Sequence, residues 1–345
     1  MKRKLSFILA LILTISLCAC GQNSAQAPVS PGASGTSPAV PEAPKPATDY
    51  PKKPIETLVG YAAGGASDII ARIVAEHLGE ELGQSVVVQN MEGAGGEIAY
   101  TGVATAKKDG YTLGYINAPA TMSIPLSRSV NYTMDDYAFI GNVIYHENLI
   151  VVSPDGPYKS YDDLKAAIEA NPDKITVGNS GAYADDHLAS LKWQFETGLS
   201  VEDTMFKGTA PSLVALMGNH IDAVICNVAD VVQKSKDGQV IVVATMGESR
   251  NDLFPNAPTL KELGFDVLMG NYTTLAAPAG TPDEVLEVLR TALEKAVNSQ
   301  KYQKAAGEDA GLPIQYFDAQ EIEAIYKKSN EDLKKMWDDL KLPTA

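Results

Sequence analysis

From about residue 54 onward the chain alternates two hydrophobic periods. Short runs rich in β-branched residues, IETLVGY, SVVVQN, YTLGYI, NLIVVS, KITVGN, HIDAVIC, QVIVVATM and YTTLAAP, have the length and composition of covered strands. Between them, apolar residues recur every three or four positions and predict helices over 67–82, 97–106, 160–170, 184–197, 211–218 and 228–236. In the first of these, Ile69 and Ile73, and Ile70, Val74 and Leu78, share a face. Toward the C-terminus, TPDEVLEVLRTALEKAVNS and DAQEIEAIYKKSNEDLKKMWDDL add two helices whose opening Thr and Asp are N-cap residues. This alternation is the sequence form of an α/β protein with mostly parallel strands, and no fixed-period repeat interrupts it.

Two strands, near 149–152 and near 274–277, are placed as crossings between lobes. They would give one lobe from 53–147 plus 276–345 and another from 148–275. Ahead of both, Lys2, Arg3 and Lys4 precede an apolar stretch from Leu5 to Ala19, the layout of a secretory signal over 1–19 and too short for a membrane span. It ends in Leu17-Cys18-Ala19-Cys20-Gly21, which resembles the bacterial lipobox and marks Cys20 for lipidation. Residues 20–52, rich in Ala, Pro, Ser, Gly and Thr, bury too little to offset ordering entropy and read as a disordered tether.

Charge and cysteine content narrow the function. With 43 acidic against 28 basic side chains, the chain suits neither nucleic acid nor an anionic lipid surface. Of three cysteines, Cys18 leaves with the signal and Cys20 takes the lipid, so Cys226 has no disulfide partner. Stability then rests on a core, and 45% hydrophobic residues suffice for one. Cys226, Trp193 and Trp337 read as buried residues of that core.

The chemistry gathers at strand ends. Gly60 to Asp68, GYAAGGASD, joins a strand to a helix through a glycine pair, so backbone and helix N-terminal amides lie open to an anion. The pattern recurs at Gly93-Ala94-Gly95-Gly96, and in an open sheet ligands collect beyond the carboxyl ends of strands. Neither loop has P-loop or dinucleotide spacing. A third loop, Gly178-Asn179-Ser180-Gly181-Ala182 with His187 beyond it, invites comparison with a nucleophile elbow but lacks the last glycine. Ser180 reads as a donor or helix cap. His77, His146, His187 and His220 show no paired metal-ligand spacing, so neither metal nor cofactor is expected.

Taken in order, Gly60 to Arg72, QNMEGAGG, ATAKKDGY, KSYDDLKAAIEANPDKITVGNSG, MFKGTAPSLVALMGNHIDAVICNVADV and LAAPAGTPDEVLEVLRTAL resemble the tripartite tricarboxylate transporter substrate-binding proteins, the Bug family. The resemblance covers nearly all of the chain after the tether. It implies an α/β, two-lobed periplasmic-binding-protein-like fold, each lobe a mostly parallel sheet flanked by helices, with a ligand cleft between lobes. It also implies a lipid-anchored, monomeric receptor that delivers a small organic carboxylate to a membrane permease, without catalysis. By that resemblance Tyr61, Ala63, Gly64, Gly65, Ala66, Ser67 and Asp68, with Gly93, Ala94, Gly95 and Gly96, grip one ligand carboxylate. Ser180, Gly181 and Asn227 reach the ligand from the other lobe; Asp185 in the third loop, and Asn117 and Thr121 on the far side, are added as candidate ligand contacts where this chain departs from the family.

Three departures from the family pattern carry weight. Ala63 stands for the usual Pro, Asn117 to Thr121 replace Gly, Thr and small residues, and the third loop carries Tyr183, Asp185 and Asp186. An acid facing the cleft repels a bare tricarboxylate, since like charges a few ångströms apart cost on the order of 1–4 kcal/mol. The ligand expected is therefore a monocarboxylate, an amino acid or a cation-bound carboxylate. The competing readings are an extracytoplasmic serine hydrolase built on Ser180 and His187, and a ligand sensor for a signalling receptor.

Overall fold

The computed structural model describes residues 49–344. The expected signal segment, the expected lipid on Cys20 and the expected tether up to residue 48 lie outside the described residues. The end of the expected tether is already part of the fold, because Tyr50 donates its hydroxyl to Gly110 O at 2.5 Å and Lys52 N–H donates to Tyr111 Oη at 2.9 Å.

The strands are β1 (Ile55–Val59), β2 (Val86–Asn90), β3 (Thr112–Ala118), β4 (Tyr137–Val152), β5 (Thr176–Asn179), β6 (Glu202–Met205), β7 (Ala223–Asn227), β8 (Ile241–Thr245), β9 (Gly270–Pro278) and β10 (Ile314–Phe317). The helices are α1 (Ala66–Leu82), α2 (Glu97–Ala104), α3 (Ala120–Ser127), α4 (Tyr161–Ala170), α5 (Asp185–Thr197), α6 (Thr209–Met217), α7 (Val228–Lys236), α8 (Asp283–Asn298), α9 (Gln300–Tyr302) and α10 (Ala319–Asp339).

One strand ties the sheet together. The strand order is β2-β1-β3-β9-β4-β7-β5-β6, with β8 and β10 also paired to β4. Residues 137–147 of β4 pair with β9, and β10 joins this stretch, whereas residues 148–152 pair with β7 and β8. The sixteen residues of β4 therefore run through two strand groups, spanning ~50 Å at the usual rise. The sequence marked only the second half, because Gly141, Asn142, His146 and Glu147 interrupt the apolar run of the first. The chain re-enters the first group at Gly270, where β9 opens, ahead of the position 276 expected from sequence.

Pairing is parallel among β1, β2 and β3 and among β5, β6 and β7, but antiparallel wherever β4 or β9 takes part. The crossing strands thus make each group mixed rather than mostly parallel.

Both faces of each group are covered. In the first, Ile70, Val74 and Leu78 of α1 and Leu289 and Leu293 of α8 pack on one face. Tyr100 of α2 and Ile322, Tyr326 and Trp337 of α10 pack on the other. In the second, β4 divides its side chains strictly by parity: Ile150 and Val152 join Trp193 of α5, and Leu149 and Val151 join Leu213 of α6 and Val231 of α7. Cys226 and Trp193 are fully buried, as the apolar pattern required. β6, α3 and β10 escaped the sequence reading. They are four to eight residues long, and α3 contains Pro125.

Candidate functional site

Four strand-end segments meet where the two groups face each other. The first is the turn from β1 into α1, which Asp68 organises. Its carboxylate accepts from Gly64 N–H at 2.9 Å and Asn90 Nδ2 at 3.0 Å and pairs with Arg72 at 2.8 Å. Burial pushes the Asp68 carboxyl up, but Arg72, Gly64 and Asn90 outweigh it and hold the group below its ordinary value. Asp68 is thus engaged within its own loop, while Ala63 and Gly64 are exposed and Tyr61, Gly65, Ala66 and Ser67 are buried.

The second segment, after β2, holds four consecutive left-handed residues, with φ of 127°, 51°, 69° and 103° at Gly93, Ala94, Gly95 and Gly96. Such a path needs glycine where space is also closed: a Cβ on Gly96 would lie 2.6 Å from the Tyr100 ring. Tyr61 crosses from the first segment and donates its hydroxyl to Gly95 O at 3.1 Å, with Tyr100 Oη 3.0 Å away.

The third segment runs from Asn179 to Ala184 into α5, and it touches the other group directly. A Cβ on Gly181 would stand 2.8 Å from Gly95 Cα, so these loops pack backbone against backbone. Ser123 of α3 donates to Tyr183 O at 2.5 Å, and the Tyr183 ring lies 5.1 Å from Trp337 of α10. Tyr183 is therefore a bridge between strand groups.

The fourth segment, where β7 becomes α7, supplies a contact that no local pattern announced. Asp230 closes a capping box with Asn227, accepting its N–H at Oδ2 (3.0 Å), while Oδ1 accepts the Ala66 N–H at 2.6 Å. The N-terminal amide of α1 donates to a carboxylate from the other strand group. Ala62 N–H donates to Lys207 O at 3.2 Å beside it. Burial pushes the Asp230 carboxyl up to about 6 against the opposing pull of the two amides, with the charges of Asp185 and Lys234 acting in opposite directions.

Behind these loops lies a buried polar cluster. Asn227 Nδ2 donates to Asp185 Oδ2 at 2.8 Å and Asp186 Oδ1 at 3.4 Å. Asn148, opposite Asn227 in the register of β4 and β7, reaches the same two oxygens at 3.4 and 3.2 Å. Thr209 donates to Asp186 Oδ2 at 3.2 Å. Burial, then the charges of Asp185 and Asp230, drive the Asp186 carboxyl well above its ordinary range, opposed by the Ser180 hydroxyl.

On the first group, Asn117 lies between Tyr100 Oη (3.5 Å), Asn271 Oδ1 (3.5 Å) and Thr273 Oγ1 (3.4 Å). Thr121 folds its hydroxyl back onto Asn117 O at 2.8 Å.

The structure thus gathers Tyr61, Gly95, Gly181, Asp185 and Asn227 at one interface. Asn148, Asp186, Thr209, Asp230 and Asn271 complete it. Of these, Asp186 belongs to the acidic pair that opens α5 and the Asn227–Asp230 capping box has a local signature, whereas Asn148 and Asn271 enter through register and crossing strands. His187 Nδ1 accepts the Tyr183 N–H at 2.9 Å, which takes that ring nitrogen away from Ser180. A cavity of about 760 Å³ lies elsewhere, between α8 and α10 beside Phe139, Arg290 and Tyr326. None of the strand-end loops lines it, so chemistry rather than volume marks the site. Among the described residues, no three His, Cys, Asp or Glu side chains converge as a metal-binding set.

Comparison with known proteins agrees with this architecture. Residues 70–342 match the family model of the tripartite tricarboxylate transporter family receptor. The chain is 32% identical over 263 residues to the UPF0065 protein in the gbd 5′ region of Cupriavidus necator, covering 75% of this chain and 79% of that protein. It is 30% identical to BugT of Bordetella pertussis, covering 79% and 85%. The periplasmic binding protein BugD superimposes with a TM-score of 0.81 at 28% identity, over 86% of this chain and all of that one. The fold is thus the two-lobed periplasmic-binding type, and the chain belongs to the tripartite tricarboxylate transporter receptor family, the Bug proteins.

Proposed function

We propose that this protein is an extracytoplasmic receptor, anchored through a lipid on Cys20, that closes two lobes over a small organic carboxylate and releases it unchanged to a membrane permease. What carries the reading is the meeting of the two strand groups largely through backbone: Gly181 against Gly95 and Ala62 N–H on Lys207 O, with Ala66 N–H on the Asp230 carboxylate. Such an interface has few side chains to obstruct a ligand, and it is made or broken by bending β4 and the segment before β9. Affinity for the closed form then drives closure. The lobes of this reading divide at position 147/148 and again just ahead of Gly270. Among the described residues no helix is long and apolar enough to cross a membrane, and in this reading the lipid on Cys20 supplies the attachment.

The test is calorimetry and thermal unfolding of the purified protein with a panel of small carboxylates and amino acids. A bound solute at a hundredfold excess over Kd adds ~2.7 kcal/mol of stability. Recovery of the solute chemically unchanged, with Ser180→Ala altering affinity but no turnover, supports the receptor; steady conversion abolished by Ser180→Ala overturns it.

A further inference from the structure

We propose that Asp185, Asp186, Asn148 and Asn227 form a seat for an ammonium group, so that the solute is an amino acid or another amino-carboxylate; this rests on the receptor reading above and names its ligand class. The four side chains come from three elements, the first turn of α5, the middle of β4 and the end of β7. They are 3%, 0%, 0% and 4% exposed respectively. Carboxylates this buried require compensation by charge or by several hydrogen bonds. Among the ion pairs of the described residues, none reaches Asp185 or Asp186. Their side-chain partners are neutral: the two Asn amides, the Thr209 hydroxyl and, at Asp186, the Ser180 hydroxyl.

A second observation points the same way. Asn148 donates through Nδ2 to both carboxylates and to Asn227 Oδ1, yet its own Oδ1 is buried without a hydrogen-bond partner. The cluster therefore holds the Asp185 carboxylate and an unmet amide oxygen, beside an Asp186 carboxyl that burial and its neighbours drive well above its ordinary range, with no cation. An ammonium group reverses that imbalance, bringing three N–H donors, one positive charge and no acceptor. Water brings donors without charge. A divalent ion calls for a converging set of hard, mostly charged ligands, and no three His, Cys, Asp or Glu side chains meet among the described residues. A di- or tricarboxylate adds like charge.

The seat also faces the right surface. The charge of Asp185 is felt at the Tyr61 hydroxyl, which is held on Gly95 O in the opposing loop. Asp185 opens α5 directly after the loop in which Gly181 meets Gly95, so a zwitterion seated by its ammonium on Asp185 lies beside those two loops, where side chains are sparse.

The experiment uses the purified full-length protein in buffer with a metal chelator. Each common L-amino acid is compared with its des-amino acid, including aspartate with succinate and glutamate with glutarate, and citrate is added as a tricarboxylate. At least one amino acid is expected to bind about 30-fold or more tighter than its des-amino partner, and Asp185→Asn to erase most of that ratio. The ratio is read on the native protein, so a misfolded variant does not shield the inference. Equal or tighter binding of the des-amino acid, binding that appears only when divalent ions are restored, or a ratio untouched in both Asp185→Asn and Asp186→Asn overturns the seat but leaves the receptor standing. Absence of binding by every compound overturns both.

Discussion

Replacing Asp230 by Asn probes the contact that joins the two strand groups at the α1 N-terminus. The carboxyl is pushed up to about 6 from an ordinary 3.8, chiefly by burial. A rise of about two pH units corresponds to roughly 3 kcal/mol between protonated and ionised forms. The sign follows from which state holds the proton more tightly. The folded protein does, so the stabilising contribution of Asp230 is fully present below about pH 4, declines as pH rises, and is lost above about pH 6. Asn cannot titrate and retains a single side-chain acceptor for the two amides, Ala66 N–H and Asn227 N–H.

The variant is therefore expected to be clearly less stable than the native protein at pH 4. That deficit should shrink by roughly 3 kcal/mol by pH 7, where the native protein carries a buried charge. Denaturant unfolding of both proteins at pH 4, 5, 6 and 7 gives the difference directly. Subtraction matters because His146, fully buried and pushed down to about 3, loses stability as pH falls from its ordinary 6.5 and so opposes Asp230. That contribution cancels between the two proteins. A stability difference that stays constant across the range refutes the assignment.

Three further outcomes follow from the geometry. Gly181→Ala sets a Cβ 2.8 Å from Gly95 Cα at a φ of 147°, so it should cost about 1–3 kcal/mol and weaken ligand binding at least tenfold; unchanged calorimetric affinity would count against the loop contact. Tyr61→Phe removes the hydroxyl between Gly95 O and Tyr100 Oη and should cost about 1–3 kcal/mol in thermal or denaturant unfolding. Cys226 is fully buried and burial raises its thiol well above the ordinary value, so a thiol reagent at neutral pH should leave it intact until denaturant is added; rapid labelling of the folded protein contradicts its placement.

Much of the fold was legible because local pattern and burial agree where both sheet faces are covered. Ile150, Val151 and Val152 read as a strand, and Ile70, Val74 and Leu78 as a helix face, since each side chain finds apolar partners. The first half of β4 was not legible. There Asn142 and His146 are fully buried by crossing strands rather than by local periodicity, and a polar residue inside an apolar run resembles a break. The same cause hid Asn148, whose role depends on lying opposite Asn227 in the register of an antiparallel pair.

The sequence by itself determined the alternating elements, the glycine-rich strand ends and the acidic pair that opens α5, because these depend on residues near one another in the chain. It also carried the family resemblance. Which strand-end amides are already occupied within the protein was decided only by tertiary structure. Asp230 reaches Ala66 across 164 positions, and Gly181 meets Gly95 across the interface between strand groups. The physical reason lies in range: hydrogen bonds and steric contact act over a few ångströms, and only the crossing strands bring such distant residues that close.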